Sequence, residues 1–186
     1  MHGFKPSNVI CLYTDDCCIF AKDSTTINHL ISNLSDDFLL KDEGSIEDFL
    51  GVRINTTTDH EGAPIITMTQ IGLINDILTD LGLHMPLTKY EKHSTPATEV
   101  LQSDSDKPAF NEPWSYRSLI GKLNFLAQNT QPDISFAVHQ CAKYCNNPRH
   151  SHGIAVKRIG KYLKTTADKG LILCPDNTHQ LNAYVD

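Results

Sequence analysis

Asp15 and Asp16 stand side by side between two almost wholly apolar runs, residues 9–13 and 17–21. Such a pattern places two carboxylates at the tip of a rigid hairpin, where their oxygens can share a hard divalent cation such as Mg²⁺. Aspartate is also a common turn former, so the pair reads as a plain reverse turn as well. A second cluster, Cys141, Cys145 and His150 with His139 and His152 nearby, carries ligand types that zinc accepts. Its spacing does not fit a zinc knuckle. Cys141 and Cys145 lie four apart on one helix face with Val138, which makes them core thiols, and no zinc is expected. The third group is Lys157, Lys161 and Lys164, which fall together at 100° per residue, opposite Ala155, Ile159, Tyr162 and Leu163. This predicts an outward basic stripe able to meet about three phosphates.

Charge is divided unevenly along the chain. The formal net charge is −6, yet residues 114–169 hold nine Lys/Arg against two acids, or +7, while the remainder holds seven basic and twenty acidic residues, or −13. One segment suits a polyanion and the rest does not. With 186 residues and 40% hydrophobic content, one or two cores are possible. No apolar window has signal-peptide or membrane-spanning length, so a soluble intracellular protein without a membrane partner is expected. Six cysteines, mostly inside apolar runs, are expected as free thiols.

The elements that must position these residues can be read from periodicity and turn chemistry. The runs at 9–13 and 17–21 predict two buried strands in a hairpin. Asp23 or Ser24 offers an N-cap to a helix carrying Ile27, Leu30, Ile31, Leu34 and Phe38, which would lay one face on that hairpin. Residues 49–54 and 65–69 predict a second hairpin across a turn-rich stretch at 59–64. Ile71, Ile74, Leu78 and Leu81 make another amphipathic helix, with Gly82 placed to close it. Residues 83–113 hold four prolines with little periodicity and read as an interdomain crossing. Three helices come next at 114–129, 132–145 and 150–165, the second opened by a proline, and strand-like composition returns at 171–174 and 181–185.

Tyr13-Thr14-Asp15-Asp16 resembles the Tyr-x-Asp-Asp box of reverse transcriptases, and the residues after it resemble the copia-type LTR retrotransposon branch, in order, through most of the chain. Phe49-Leu50-Gly51 is similar to that family's primer-grip segment, and Gln70 with its helix to the next element. Ser94-Thr95-Pro96 resembles the palm-to-thumb crossing. Tyr116-Arg117, Ile120-Gly121, Leu123 and Leu126-Ala127 resemble a family helix, and Pro132-Asp133-Ile134, Asn147-Pro148, His152, Lys157-Arg158, Tyr162-Leu163 and Gly170-Leu171 continue the pattern. The last residues, 181–186, resemble the first strand of the family's RNase H domain.

The resemblance implies an α+β fold: a partial palm of two β-hairpins plus helices over 1–82, a crossing at 83–113, a helical thumb over 114–168, and the first strands of a truncated RNase H domain over 169–186. It implies an RNA-directed DNA polymerase with Asp15 and Asp16 as catalytic metal ligands for Mg²⁺ or Mn²⁺. Tyr13, Phe49, Leu50, Gly51, Arg117, Lys157, Lys161 and Lys164 would contact primer and template, and Asp186 would be the first RNase H acid. Partners would be an RNA template, a DNA primer and deoxynucleoside triphosphates. Lys41 reads either as a triphosphate contact or as a solvated surface charge. Thr14 stands where the family has a small apolar residue, and Gln131 where it has arginine. The family's first palm carboxylate lies upstream of the box, so this chain is expected to be inactive without that N-terminal half. A non-enzymatic nucleic-acid-binding remnant of a degenerate transposon is the alternative.

Overall fold

Two almost wholly apolar runs around a two-residue turn make the first hairpin. In the computed structural model, which describes residues 8–83 and 93–174, Asn8–Tyr13 (β1) and Asp16–Ala21 (β2) pair antiparallel, with Cys11 opposite Cys18 and Tyr13 opposite Asp16. Asp23 then caps the helix Ser24–Ser35 (α1), its carboxylate accepting from the Thr26 N–H at 2.8 Å and the Thr26 hydroxyl at 3.0 Å. Those bonds hold the Asp23 carboxyl below the usual range. Ile27, Leu30, Ile31 and Leu34 form the less exposed face, and α1 packs on β2 as expected.

One expectation fails here. The strands are not buried: Leu12 is 74% exposed, Val9, Ile10 and Phe20 are about half exposed, and α1 buries no residue at all. The sequence pattern records which residues are fit for burial. Burial itself requires a second layer, and one short helix against one strand is too little surface to provide it.

The chain divides into two compact units, Met1–Leu50 and Gly51–Asp186. The first ends with the two-residue strand Asp48–Phe49 (β3). The second opens with Val52–Thr58 (β4) and Pro64–Thr69 (β5), antiparallel, with Thr58 opposite Pro64 and Arg53 opposite Thr69. Asp59 builds their connection by accepting the Glu61 and Ala63 N–H groups, each at 2.8 Å. The helix Ile71–Asp80 (α2) comes next and stops at Gly82, whose φ of +69° is open to glycine at little cost. There Leu83 N–H donates to Leu78 O at 2.8 Å and Gly82 N–H to Thr79 O at 3.0 Å, the paired bonds of a Schellman motif.

Tyr116–Asn129 (α3), a 3₁₀ turn at Pro132–Ile134, Ser135–Ala142 (α4) and His150–Thr166 (α5) complete the helical part. Their apolar faces meet in one core with α2: Ile74, Ile77, Leu119, Leu123, Leu126, Ile134, Ile159 and Leu163 are all essentially solvent-free. Gly160 lets α5 approach the end of α2 closely, for a β-carbon there would sit 2.4 Å from Leu81 Cδ1. The strand Leu171–Leu173 (β6), in the stretch expected to begin an RNase H domain, pairs with the second hairpin, Leu171 with Met68 and Leu173 with Ile66. Gly170 makes this possible, since a β-carbon would fall 2.1 Å from the Met68 carbonyl oxygen. The expected strand at 181–185 and Asp186 lie outside the described residues.

Residues 93–113 form a strap over α4 and α5 within the second unit. His150 N–H donates to Pro108 O at 2.9 Å and Phe110 N–H to Pro148 O at 3.1 Å. The Tyr144 hydroxyl donates to Leu101 O at 2.9 Å. Phe110, Trp114 and Tyr116 stack edge and face with centroids 4.7 to 6.1 Å apart, seating the strap's end on the core. A proline-rich stretch without periodicity therefore acquires its order from backbone and side-chain groups of its neighbours.

Candidate functional site

The carboxylates stand on a strained turn. Between Tyr13 and Asp16 the loop is Thr14-Asp15, and Thr14 takes a φ of +51° while Asp15 does not turn positive, the sign pattern of a type II′ hairpin turn. Glycine usually fills that first position. A β-branched residue there is an outlier that local strain must support, a condition often found at functional sites. Tyr13, Asp15 and Asp16 are all exposed, so the turn presents two carboxylates and a phenol to solvent. Carboxylate oxygens are the donors that Mg²⁺ and Mn²⁺ prefer, so the donor chemistry fits such an ion in kind. Among the described residues, no group of three or more His, Cys, Asp or Glu is placed to hold a metal.

At the far end of the first unit the backbone turns again: Leu50 has φ +52° and Gly51 φ +73°, with open space around Gly51 where a β-carbon would sit. Phe49 is half-buried and Leu50 exposed. Lys41 pairs with Glu43 at 2.6 Å, both highly exposed, which is the solvated-surface reading.

The remaining expected contacts fall in the second unit. The Arg117 guanidinium donates to Asn146 Oδ1 at 2.9 Å. The lysines of α5 do not form the outward stripe that helical periodicity predicts. Lys157 is partly buried against Glu112 of the strap at 2.7 Å, Lys164 donates to the Leu83 carbonyl, and Lys161 is also only partly exposed. Helical periodicity alone could not reveal this, because α5 is covered on more than one side, by α2 and α4 and by the strap. Asp186 lies outside the described residues.

Cys141 is a core thiol as expected. Burial pushes it up to about 12, and its carbonyl accepts the Tyr116 hydroxyl at 3.0 Å. His152 is fully buried with both ring nitrogens engaged: Nδ1 accepts the Arg149 N–H at 3.0 Å, and Nε2 donates to Gln102 O at 2.8 Å. This ring does for the start of α5 what a Glu does in a capping box, and it stacks on Tyr144 at 4.0 Å. Gln131, in the position where arginine was expected, is buried and donates to Lys169 O at 2.6 Å, tying the end of α3 to the approach of β6. Sequence reasoning missed the strap's role. Its visible signal was Phe110 near the end of an otherwise aperiodic stretch, with Trp114 just beyond it.

Comparison with known proteins places the carboxylate turn inside a described family. The family model for reverse transcriptase (RNA-dependent DNA polymerase) matches residues 2–98, slightly more than half of the chain. The Pol polyproteins of Arabidopsis thaliana transposons RE1 and RE2 are 31% and 30% identical to it over 94% of its length, and the chain spans 11% of theirs. An uncharacterized mitochondrial protein of the same plant is 30% identical over 94% of this chain and 69% of its own. No solved structure matches. Two acids on the Tyr-x-Asp-Asp turn, a matching family model and colinear relatives agree: the chain belongs to the reverse transcriptase family, as a reverse-transcriptase-like domain of copia-type transposon Pol polyproteins.

Proposed function

We propose that this chain supplies the distal half of a reverse transcriptase active site, with Asp15 and Asp16 as two of its metal-binding carboxylates. The observation that carries this reading is the exposed Asp pair on a strained hairpin turn, inside the span the family model matches. Mg²⁺ or Mn²⁺ held there would activate a primer 3′-hydroxyl and stabilise the triphosphate leaving group. Tyr13 lines the floor under the primer terminus. Phe49, Leu50 and Gly51 position the primer strand, Gly51 because it leaves room for a sugar-phosphate backbone. Arg117 and the α5 lysines Lys157, Lys161 and Lys164 meet the phosphates of an RNA template and DNA primer, with Lys157 first leaving Glu112.

In this reading the hairpins and α1–α2 are a partial palm and α3–α5 a thumb. The RNase H portion covers 169–186 and opens with β6, which pairs with β5; its first acid would be Asp186. A third carboxylate comes from outside this stretch. In-line attack needs both metals fixed near the α-phosphate, which two adjacent acids on one turn cannot arrange. Primer extension on an RNA template is therefore expected at background for the 186-residue chain, and to appear when a family N-terminal half is supplied, with dependence on Asp15. Robust incorporation by the chain alone, abolished by Asp15→Asn, would overturn the division of the site.

A further inference from the structure

Between the strap and α4–α5, wholly within the second unit, lies a cavity of about 610 Å³. This is the size of a small-molecule site. Ala137 and Cys141 of α4 with Ile154, Ala155 and Ile159 of α5 form an apolar floor, and Val100 and Leu101 of the strap face them. Its rim carries Arg158 and Lys161 from α5, Lys157 in its pair with Glu112, and His93 from the strap.

Two lining residues carry buried polar atoms without a hydrogen-bond partner, Ser151 Oγ and Arg158 Nε. Seven residues apart, they fall on the same helix face about 10 Å from one another, with Ile154 and Ala155 between them. The Arg158 guanidinium is oriented by its bond to Thr95 Oγ1 at 3.2 Å, which leaves the Nε donor unmatched. Both atoms are closed to solvent, so a ligand in the cavity reaches Arg158 through its partly exposed side chain rather than through Nε. Burial and the neighbouring Arg158 and Lys161 cations push the His93 imidazole below its usual range, which registers the positive field at this rim. Glu99 and Asp104 also line the cavity, on the strap side. They oppose a polyanion.

We propose that this cavity binds a small organic monophosphate, with its phosphate on Arg158 and its apolar or aromatic body on Ile154, Ala155 and Val100. A guanidinium suits a phosphate oxygen in geometry as well as charge. The site shares no residue with the carboxylate turn, but it shares Lys157 and Lys161 with the proposed template and primer contact, so duplex binding there is one outcome of the test.

Phenyl phosphate, inorganic phosphate and benzyl alcohol, titrated into the full chain and followed by amide NMR, test the proposal. Phenyl phosphate is expected to shift residues 151–158 and to bind at least tenfold tighter than either half-ligand. Arg158→Gln should weaken it at least tenfold, and so should Ile154→Glu, a change at a 56% exposed position that leaves the fold intact. Equal affinity for inorganic phosphate would overturn the proposal. So would unchanged affinity in folded Ile154→Glu, no binding at millimolar phenyl phosphate, or tighter binding of an RNA–DNA duplex to these same residues.

Discussion

The two compact units differ in what holds them. Met1–Leu50 carries the carboxylate turn, and its strands are specified locally, by cross-strand pairing, a two-residue loop and the Asp23 cap. Gly51–Asp186 carries the solvent-free residues of a common core, specified by contacts far apart in sequence, such as Tyr116 to Cys141 and His152 to Gln102. Local rules suffice to shape a hairpin, but an isolated hairpin is marginal in water. The proposed carboxylate site thus sits on the less supported part of the chain, and the rigidity of the Asp15–Asp16 turn depends on what covers the apolar residues beside it.

The sharpest test of this contrast compares two leucines. Leu123→Ala, in the core, should cost roughly 2–5 kcal/mol by lost transfer energy and the cavity left behind. Leu12→Thr, on a strand where the side chain is 74% exposed, should fall within about 0.5 kcal/mol of zero. Urea unfolding followed by the single tryptophan, Trp114, measures the first, and residue-resolved hydrogen exchange measures the second. Fast exchange throughout β1 and β2 is expected beside slow exchange in α3 and α5. Strong protection of the β1 amides, lost in Leu12→Thr, would break the comparison.

The same division explains what could be read from sequence. The hairpin at 9–21, the Gly82 stop and the helices at 116–129 and 150–166 result from residue types within a few positions of one another. Burial of β1 and β2, the direction of the α5 lysines and the order of residues 93–113 depend on partners distant in sequence, which periodicity does not encode. Lys157 shows the point. Its spacing is that of a solvated lysine, and only Glu112, forty-five positions away, turns it into a partly buried ion pair. Gly170 is the converse case, because its need for glycine appears only once β6 lies against Met68.

A second effect, smaller near its onset, separates the units by pH. Burial raises the Cys141 thiol from 9.0 to about 12, and burial chiefly raises the Tyr116 phenol as well. A raised acid binds its proton more tightly in the folded state. The stability it contributes is therefore complete below the unfolded value and is lost as pH climbs toward the folded one. For Cys141 the window runs from about 9 to about 12, and at pH 10 the loss is on the order of 1 kcal/mol. Trp114-monitored stability should decline above pH 9 in the native chain and less steeply in Cys141→Ala, after allowing for the cavity that change leaves. Identical slopes would show that the thiol is not held in the core.

The smallest expected effect lies at the turn itself. Thr14 has a φ of +51°, where a β-branched side chain is strained and glycine is not. Thr14→Gly relieves that strain but adds freedom to the unfolded chain, and the two effects partly cancel. A net gain of roughly 0.5–1 kcal/mol in hairpin stability is expected, the strain outweighing the added entropy. Cross-strand amide contacts between Tyr13 and Asp16, followed by NMR against temperature, measure the hairpin population directly. Because the first unit has no buried core among its described residues, this gain should stay within β1 and β2 and leave the unfolding of the second unit unchanged. A loss of hairpin population in Thr14→Gly would mean that the threonine side chain, not the backbone pairing, is what holds Asp15 and Asp16 at the tip.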